Sequence, residues 1–173
     1  TVVLQTVFGD NNPDNPWAGP GGYLANGGFE EGPASWSSWP PELTNWEVND
    51  LHPFDGMHSL QITPRSDNSD ANPEWTPVYQ SFSLEGLNLE PGNYMHMHGH
   101  GMTPAGNAVS GNNNGYLFLE FFDAGWSQLA KYTSNVVDAS ATTDMWHELM
   151  VTGMVPEGTV NINVGCELWQ GPE

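Results

Sequence analysis

The chain opens TVVLQTVF, residues 1–8, and runs at once into GDNNPDNPWAGPGG, residues 9–22. The first stretch is rich in Val and Thr and reads as a strand. The second is rich in Pro, Gly and Asn and cannot continue a sheet. A strand cut off in this way must find its backbone partners far away in sequence or on another molecule. In an alternating strand Val2, Leu4, Thr6 and Phe8 share one face, and Val3, Gln5 and Val7 share the other. Burying the three apolar members of the first set stabilises by roughly 5–8 kcal/mol before entropy costs.

The remainder, residues 23–173, repeats one theme. Short alternating or apolar runs stand between Gly, Pro and Asn punctuation: YLANGGFEE (23–31), LTNWEV (43–48), MHSLQIT (57–63), PVYQSFSL (77–84) and NYMHMHGH (93–100). YLFLEFFD (116–123), SQLAKYT (127–133), WHELMVTG (146–153) and GTVNINVGCELW (158–169) follow. No stretch keeps a helical period with caps over three turns. So many short strands pack most simply as an all-β, antiparallel two-sheet sandwich.

Bulk properties narrow the function classes. The 173 residues carry 2 Lys+Arg against 21 Asp+Glu, a formal charge of -19. Arg65 and Lys131 cannot form the basic footprint that nucleic acid or an anionic membrane requires. Unpaired carboxylates favour divalent cations, and Ca²⁺ takes oxygen ligands. Asp10, Asn12 and Asp14 stand at alternate positions like the start of a calcium loop, without its Gly and late Glu; an Asx-turn linker fits them as well. The acidic loop RSDNSDANPEW offers Asp67, Asp70 and Glu74 as further ligands or as a solvated surface. Cys166 is the only cysteine, so no intramolecular disulfide forms, and a buried small hydrophobe is its expected role. No apolar run reaches membrane-spanning length, and the lack of an initial Met suggests processing, so an extracellular, secreted protein is expected.

Two further sets of residues invite chemistry. In NYMHMHGH, His96, His98 and His100 share one face of a strand at about 6.5–7 Å spacing, a workable transition-metal chelate with His147 as a fourth ligand. The alternative is a row of inward-facing or groove-lining histidines. Trp17, Trp36, Trp39 and Trp126 are the expected sugar-stacking or interface aromatics, whereas Trp46 and Trp146 read as core. No carboxylate pair in a hydrolase context, nucleophile elbow or phosphate loop is present, so the protein is not expected to be an enzyme.

NGGFEEG, DGMHSLQI, VYQSFSLEGLNLEPGNY, YLFLEFFDAGWSQL and MWHELMVTGMVPEGTVNINVGCEL follow one another in an order that resembles the galactose-binding-like, jelly-roll carbohydrate-binding modules of secreted bacterial glycosidases and surface proteins. The resemblance spans roughly residues 23–170. It implies a structural Ca²⁺ near NGGFE, with Glu30 as a ligand and Asp10 in place of an Asp of the family's last strand. That last strand is missing after VNINVGCEL, because the chain stops at QGPE.

One missing strand and one spare strand make a matched set, resembling a donor-strand-exchanging fibril subunit. The leading expectation is therefore a jelly-roll β-sandwich, residues 23–173, with a detached donor strand (1–8) and a linker (9–22). The donor would lie beside GTVNINVGCELW of the next copy. Because donor and groove differ in place, such contacts propagate head to tail into a filament, stabilised by Ca²⁺. Alternatives are a strand that folds back into its own groove, a carbohydrate-binding module with a polysaccharide partner, and a His-strand metalloprotein.

Overall fold

The computed structural model describes residues 1–5, 24–41, 45–64 and 74–171, and of Leu4 and Gln5 only the backbone. The linker 9–22, donor positions Thr6 and Phe8, Trp17, and the calcium candidates Asp10, Asn12, Asp14, Asp67 and Asp70 lie outside these residues.

Two antiparallel sheets face each other. The first contains β1 (Val2–Gln5), β3 (Trp46–Asn49), β4 (Ser59–Ile62), β6 (Tyr94–Met102) and β10 (His147–Met154) in the order β10-β6-β1-β4-β3. The second contains β2 (Ser37–Ser38), β5 (Glu74–Ser83), β7 (Asn114–Phe122), β8 (Gln128–Thr133) and β11 (Asn161–Gln170) in the order β2-β5-β11-β7-β8, with β9 (Val137–Asp138) beside β7. A single 3₁₀ turn, Ala105–Asn107, is the only helix among the described residues. The expected all-β sandwich is what forms. Leu60, Ile62, Met97, Leu149 and Val151 of the first sheet meet Val78, Leu117, Leu119, Phe121, Ile162, Val164 and Leu168 of the second.

The first strand does not stand where it was expected. Both edges of β11 are paired within the chain, to β5 along Asn161–Gln170 and to β7 along Asn161–Trp169, so no groove remains beside it and no last strand is wanting there. β1 lies instead in the middle of the opposite sheet, with Val3 opposite Gln61 of β4 and Met102 of β6. Val2 and Val3, on opposite faces of the strand, are both fully buried. Val2 reaches across the core to β7, where a Cβ on Gly115 would stand 2.7 Å from its Cγ1. Burying two valines stabilises by roughly 3–6 kcal/mol before entropy costs.

The run 23–31, expected as a strand, forms turns from Leu24 onward. Asn26 and Phe29 adopt positive φ of 53° and 63°. The Asn26 amide donates to the Gly32 and Ala34 carbonyls at 2.9 and 3.0 Å, while its side-chain oxygen accepts the Glu31 N–H at 3.0 Å. Asparagine tolerates this left-handed conformation and closes such turns on itself. Phe29 thereby enters the core against Trp36, with ring centroids 4.9 Å apart.

Candidate functional site

The outward face of the first sheet carries a row of polar and aromatic groups. Alternation turns Met95 and Met97 inward and His96, His98 and His100 outward on β6, opposite Thr152, Met150 and Glu148 of β10. The histidines do not converge on one point. His96 Nδ1 meets the Thr152 hydroxyl at 2.8 Å, His98 Nε2 meets Glu148 Oε1 at 2.8 Å, and His147 Nε2 faces the Thr142 carbonyl at 3.3 Å. His100 stacks on Phe54 at 3.8 Å, and its Nδ1 is buried without a partner. Burial, with the nearby His98, holds its pKa below the ordinary value. Among the described residues no three or more His, Cys, Asp or Glu side chains are placed to hold a metal ion. The expected His96–His98–His100 chelate is corrected on this point: each ring is committed to a different neighbour.

Phe54 comes from the loop 50–58, which crosses this end of the sheet. Its ring also meets Trp146 edge-on at 5.6 Å, and it remains 41% exposed. Glu30 anchors the loop. Its Oε1 accepts the N–H groups of Met57 and His58 at 2.9 and 3.2 Å, and its Oε2 lies 3.3 Å from His58 Nδ1. These bonds, that from Met57 foremost, hold its pKa below the usual carboxylate range. Gly56, at φ +71°, passes so close that any side chain there would strike this carboxylate. A carboxylate faced by N–H donors and an imidazole is not an environment for a cation, so Glu30 as placed does not fit a calcium ligand.

A cleft of about 340 Å³ is lined by Thr1, His52, Gln61, Pro104, Gly106, Asn107 and Asp144. The Thr1 ammonium donates to the Asn107 carbonyl at 3.1 Å, and the Asn107 amide bonds back to the Thr1 hydroxyl. Burial lowers the pKa of that ammonium. Asp144, at φ 57°, accepts the Ala105 N–H at 2.9 Å and so fixes the turn at the cleft wall. His52 belongs to the same loop as Phe54, and Asp144 precedes Trp146 by two residues. Cleft and rings therefore share one end of the sheet.

The aromatic residues singled out from sequence are dispersed. Trp36 is a core residue, 7% exposed, with its indole N–H on the Asn26 carbonyl at 3.0 Å, which corrects its assignment to a sugar or subunit surface. Trp39 and Trp126 are exposed, at 67% and 55%. Both lie on the second-sheet side, Trp39 next to β2 and Trp126 in the turn between β7 and β8. Trp46 packs against the core as expected, but Trp146 does not. The signal for Trp146 was its place just before β10, where a side chain stands at the rim rather than between the sheets.

This jelly-roll sandwich is similar to those of several solved carbohydrate-binding modules. The structure is similar to a xylan-binding domain of family 22, with a TM-score of 0.58 and 15% identity over 81% of this chain and 80% of that one. It is also similar to the C-terminal family 22 module of Clostridium thermocellum Xyn10B, with a TM-score of 0.57 and 13% identity over 82% and 85%. A family 16 module matches with a TM-score of 0.52 and 12% identity over 87% and 96%. No protein-family model and no curated protein matches the sequence. At such identities the likeness establishes the jelly-roll sandwich fold.

Proposed function

We propose that this chain is a secreted, non-catalytic carbohydrate-binding module that takes a neutral polysaccharide on the outward face of the first sheet. The observation that carries the reading is the open cleft at the same end of the sheet as the Phe54–Trp146 rings, on a fold shared with xylan-binding domains. Exposed rings stack on the apolar faces of pyranoses, and Gln61, Asn107 and Asp144 supply donors and acceptors for hydroxyl groups. A net charge of -19 disfavours polyuronates and other anionic chains. Affinity electrophoresis through xylan, with cellulose derivatives and mixed-linkage glucan alongside, tests it. Retardation weakened by Trp146→Ala is expected; free migration through every gel overturns it.

A second reading, filament formation by strand donation, is favoured by the place of β1. β1 is a short strand held between β4 and β6 by backbone pairing on both sides, and in this reading the equivalent segment of another copy takes its place. Thin fibrils in negative stain that vanish on deleting residues 1–8 support it, and discrete monomers at micromolar concentration refute it. Calcium, proposed for the oxygen-rich segments around Asp10–Asp14 and Asp67–Asp70, predicts a lower melting temperature in chelator. An unchanged melt refutes it.

A further inference from the structure

The outward face of the second sheet holds one of the chain's two basic side chains, Lys131, in a setting unlike a surface ion pair. β8 presents Lys131 opposite Glu120 of the neighbouring β7, and β11 presents Glu167 opposite Tyr116 of β7. All four side chains stand on one face, around the fully buried ring of Phe118. The Lys131 Nζ lies 4.8 Å from the centre of that ring, 2.9 Å from Glu167 Oε2 and 3.1 Å from Glu120 Oε1. The Glu167 side chain is only 4% exposed, and the Tyr116 hydroxyl donates to its Oε1.

We propose that this is a self-modification site at which Lys131 and Glu167 condense to an amide bond, with Glu120 relaying the protons. Two carboxylates flank the one ammonium, so the reaction requires Lys131 to pass a proton first to Glu120, whose Oε1 lies 3.1 Å from Nζ. Burial also raises the pKa of Glu167 and keeps the Tyr116 phenol protonated. The free amine of Lys131 attacks Cδ of Glu167, forming the C–N bond. Charge that develops on Oε1 is met by the Tyr116 hydroxyl, a fixed donor in a water-poor site. The C–Oε2 bond breaks with its electron pair going to oxygen. The two protons that Oε2 needs to leave as water come from Nζ through Glu120, which ends as it began. Ammonium and carboxylate become amide and water, with no oxidant or further reactant. The bond would tie the edge strand β8 across β7 to the central β11, closing a loop of 36 residues.

Intact-mass measurement of the full, denatured chain tests this. The wild type is expected to be lighter than its sequence by one water, and proteolysis should give a branched peptide joining Lys131 to Glu167. Lys131→Arg, Glu167→Ala and Glu120→Ala, each checked for folding by circular dichroism, should show their full sequence masses. Glu167→Gln should instead lose ammonia and yield the same branched peptide as the wild type, a result that a purely structural ion pair does not produce. A wild-type chain that keeps its full mass after prolonged incubation overturns the proposal. A water loss that persists in Lys131→Arg also overturns it, because it places the dehydration elsewhere.

Discussion

The two sheets of this sandwich obey the same alternation, yet their outward faces end differently. On the first sheet, β10 alternates buried and exposed residues along its length, and the outward groups on β6 are histidines that remain partly open to solvent. On the second sheet, β7 and β11 have no exposed residue at all. Outward groups there cover one another: Lys131 lies over Phe118, and Glu167 is sealed by Tyr116 and Lys131. A face that saturates its own polar groups leaves little for a ligand. A face with an unfilled end, a cleft and half-exposed rings can still take one. This difference is why binding is assigned to the first sheet and a structural bond to the second.

Deleting residues 1–5 should have the largest effect on stability. β4 and β6 would both lose a backbone partner and the core would lose Val2, so a loss of several kcal/mol, more than about 3, is expected in chemical denaturation. An unchanged midpoint would make β1 an ornament on a sheet that closes without it. Next comes Lys131→Met, which removes the proposed cross-link and leaves Glu167 buried without its cation, and should cost at least about 3–5 kcal/mol. Burial raises the pKa of Glu167 in the folded state, so the unfolded chain releases that proton first. The stability of Lys131→Met should therefore fall as pH rises from the ordinary glutamate range through the raised value; a flat profile would mean that Glu167 reaches water.

Glu30→Gln should have a smaller effect. Glu30 is largely exposed, so screening holds its contribution under about 1 kcal/mol. The folded pKa is depressed, so this contribution is present above the ordinary glutamate pKa and is lost as pH falls through the folded value. Faster hydrogen exchange confined to 55–58 is the expected readout. Global destabilisation would show that the loop belongs to the core.

Much of the strand framework was legible because apolar alternation reports burial directly: β3 through β8, β10 and β11 lie on or beside their expected runs. The placement of β1 was not legible, since TVVLQTVF fits any unpaired edge and nothing local says which edge is free. The turn at Asn26 was hidden by the aromatic residues around it, which mimic a strand while Asn26 and Phe29 adopt left-handed φ. In YLFLEFFD, apolar residues at both phases implied burial on both faces, and a lone lysine in the facing strand was the available sign of an ion cluster. The cleft joins residues 1, 52, 61, 107 and 144, which no sequence window brings together. The histidine spacing was read correctly, but spacing alone does not make side chains converge.

A binding comparison between the two faces decides which of them takes the polysaccharide. Phe54→Ala and Trp146→Ala, on the first sheet, and Trp39→Ala and Trp126→Ala, on the second, should be tested by isothermal titration with xylo-oligosaccharides and by affinity electrophoresis through xylan. The first pair should lower affinity by about tenfold or more while the second pair leaves it within about twofold. Affinity that survives the loss of Phe54 and Trp146 but falls with Trp39 or Trp126 would contradict this assignment, moving the binding site to the opposite sheet.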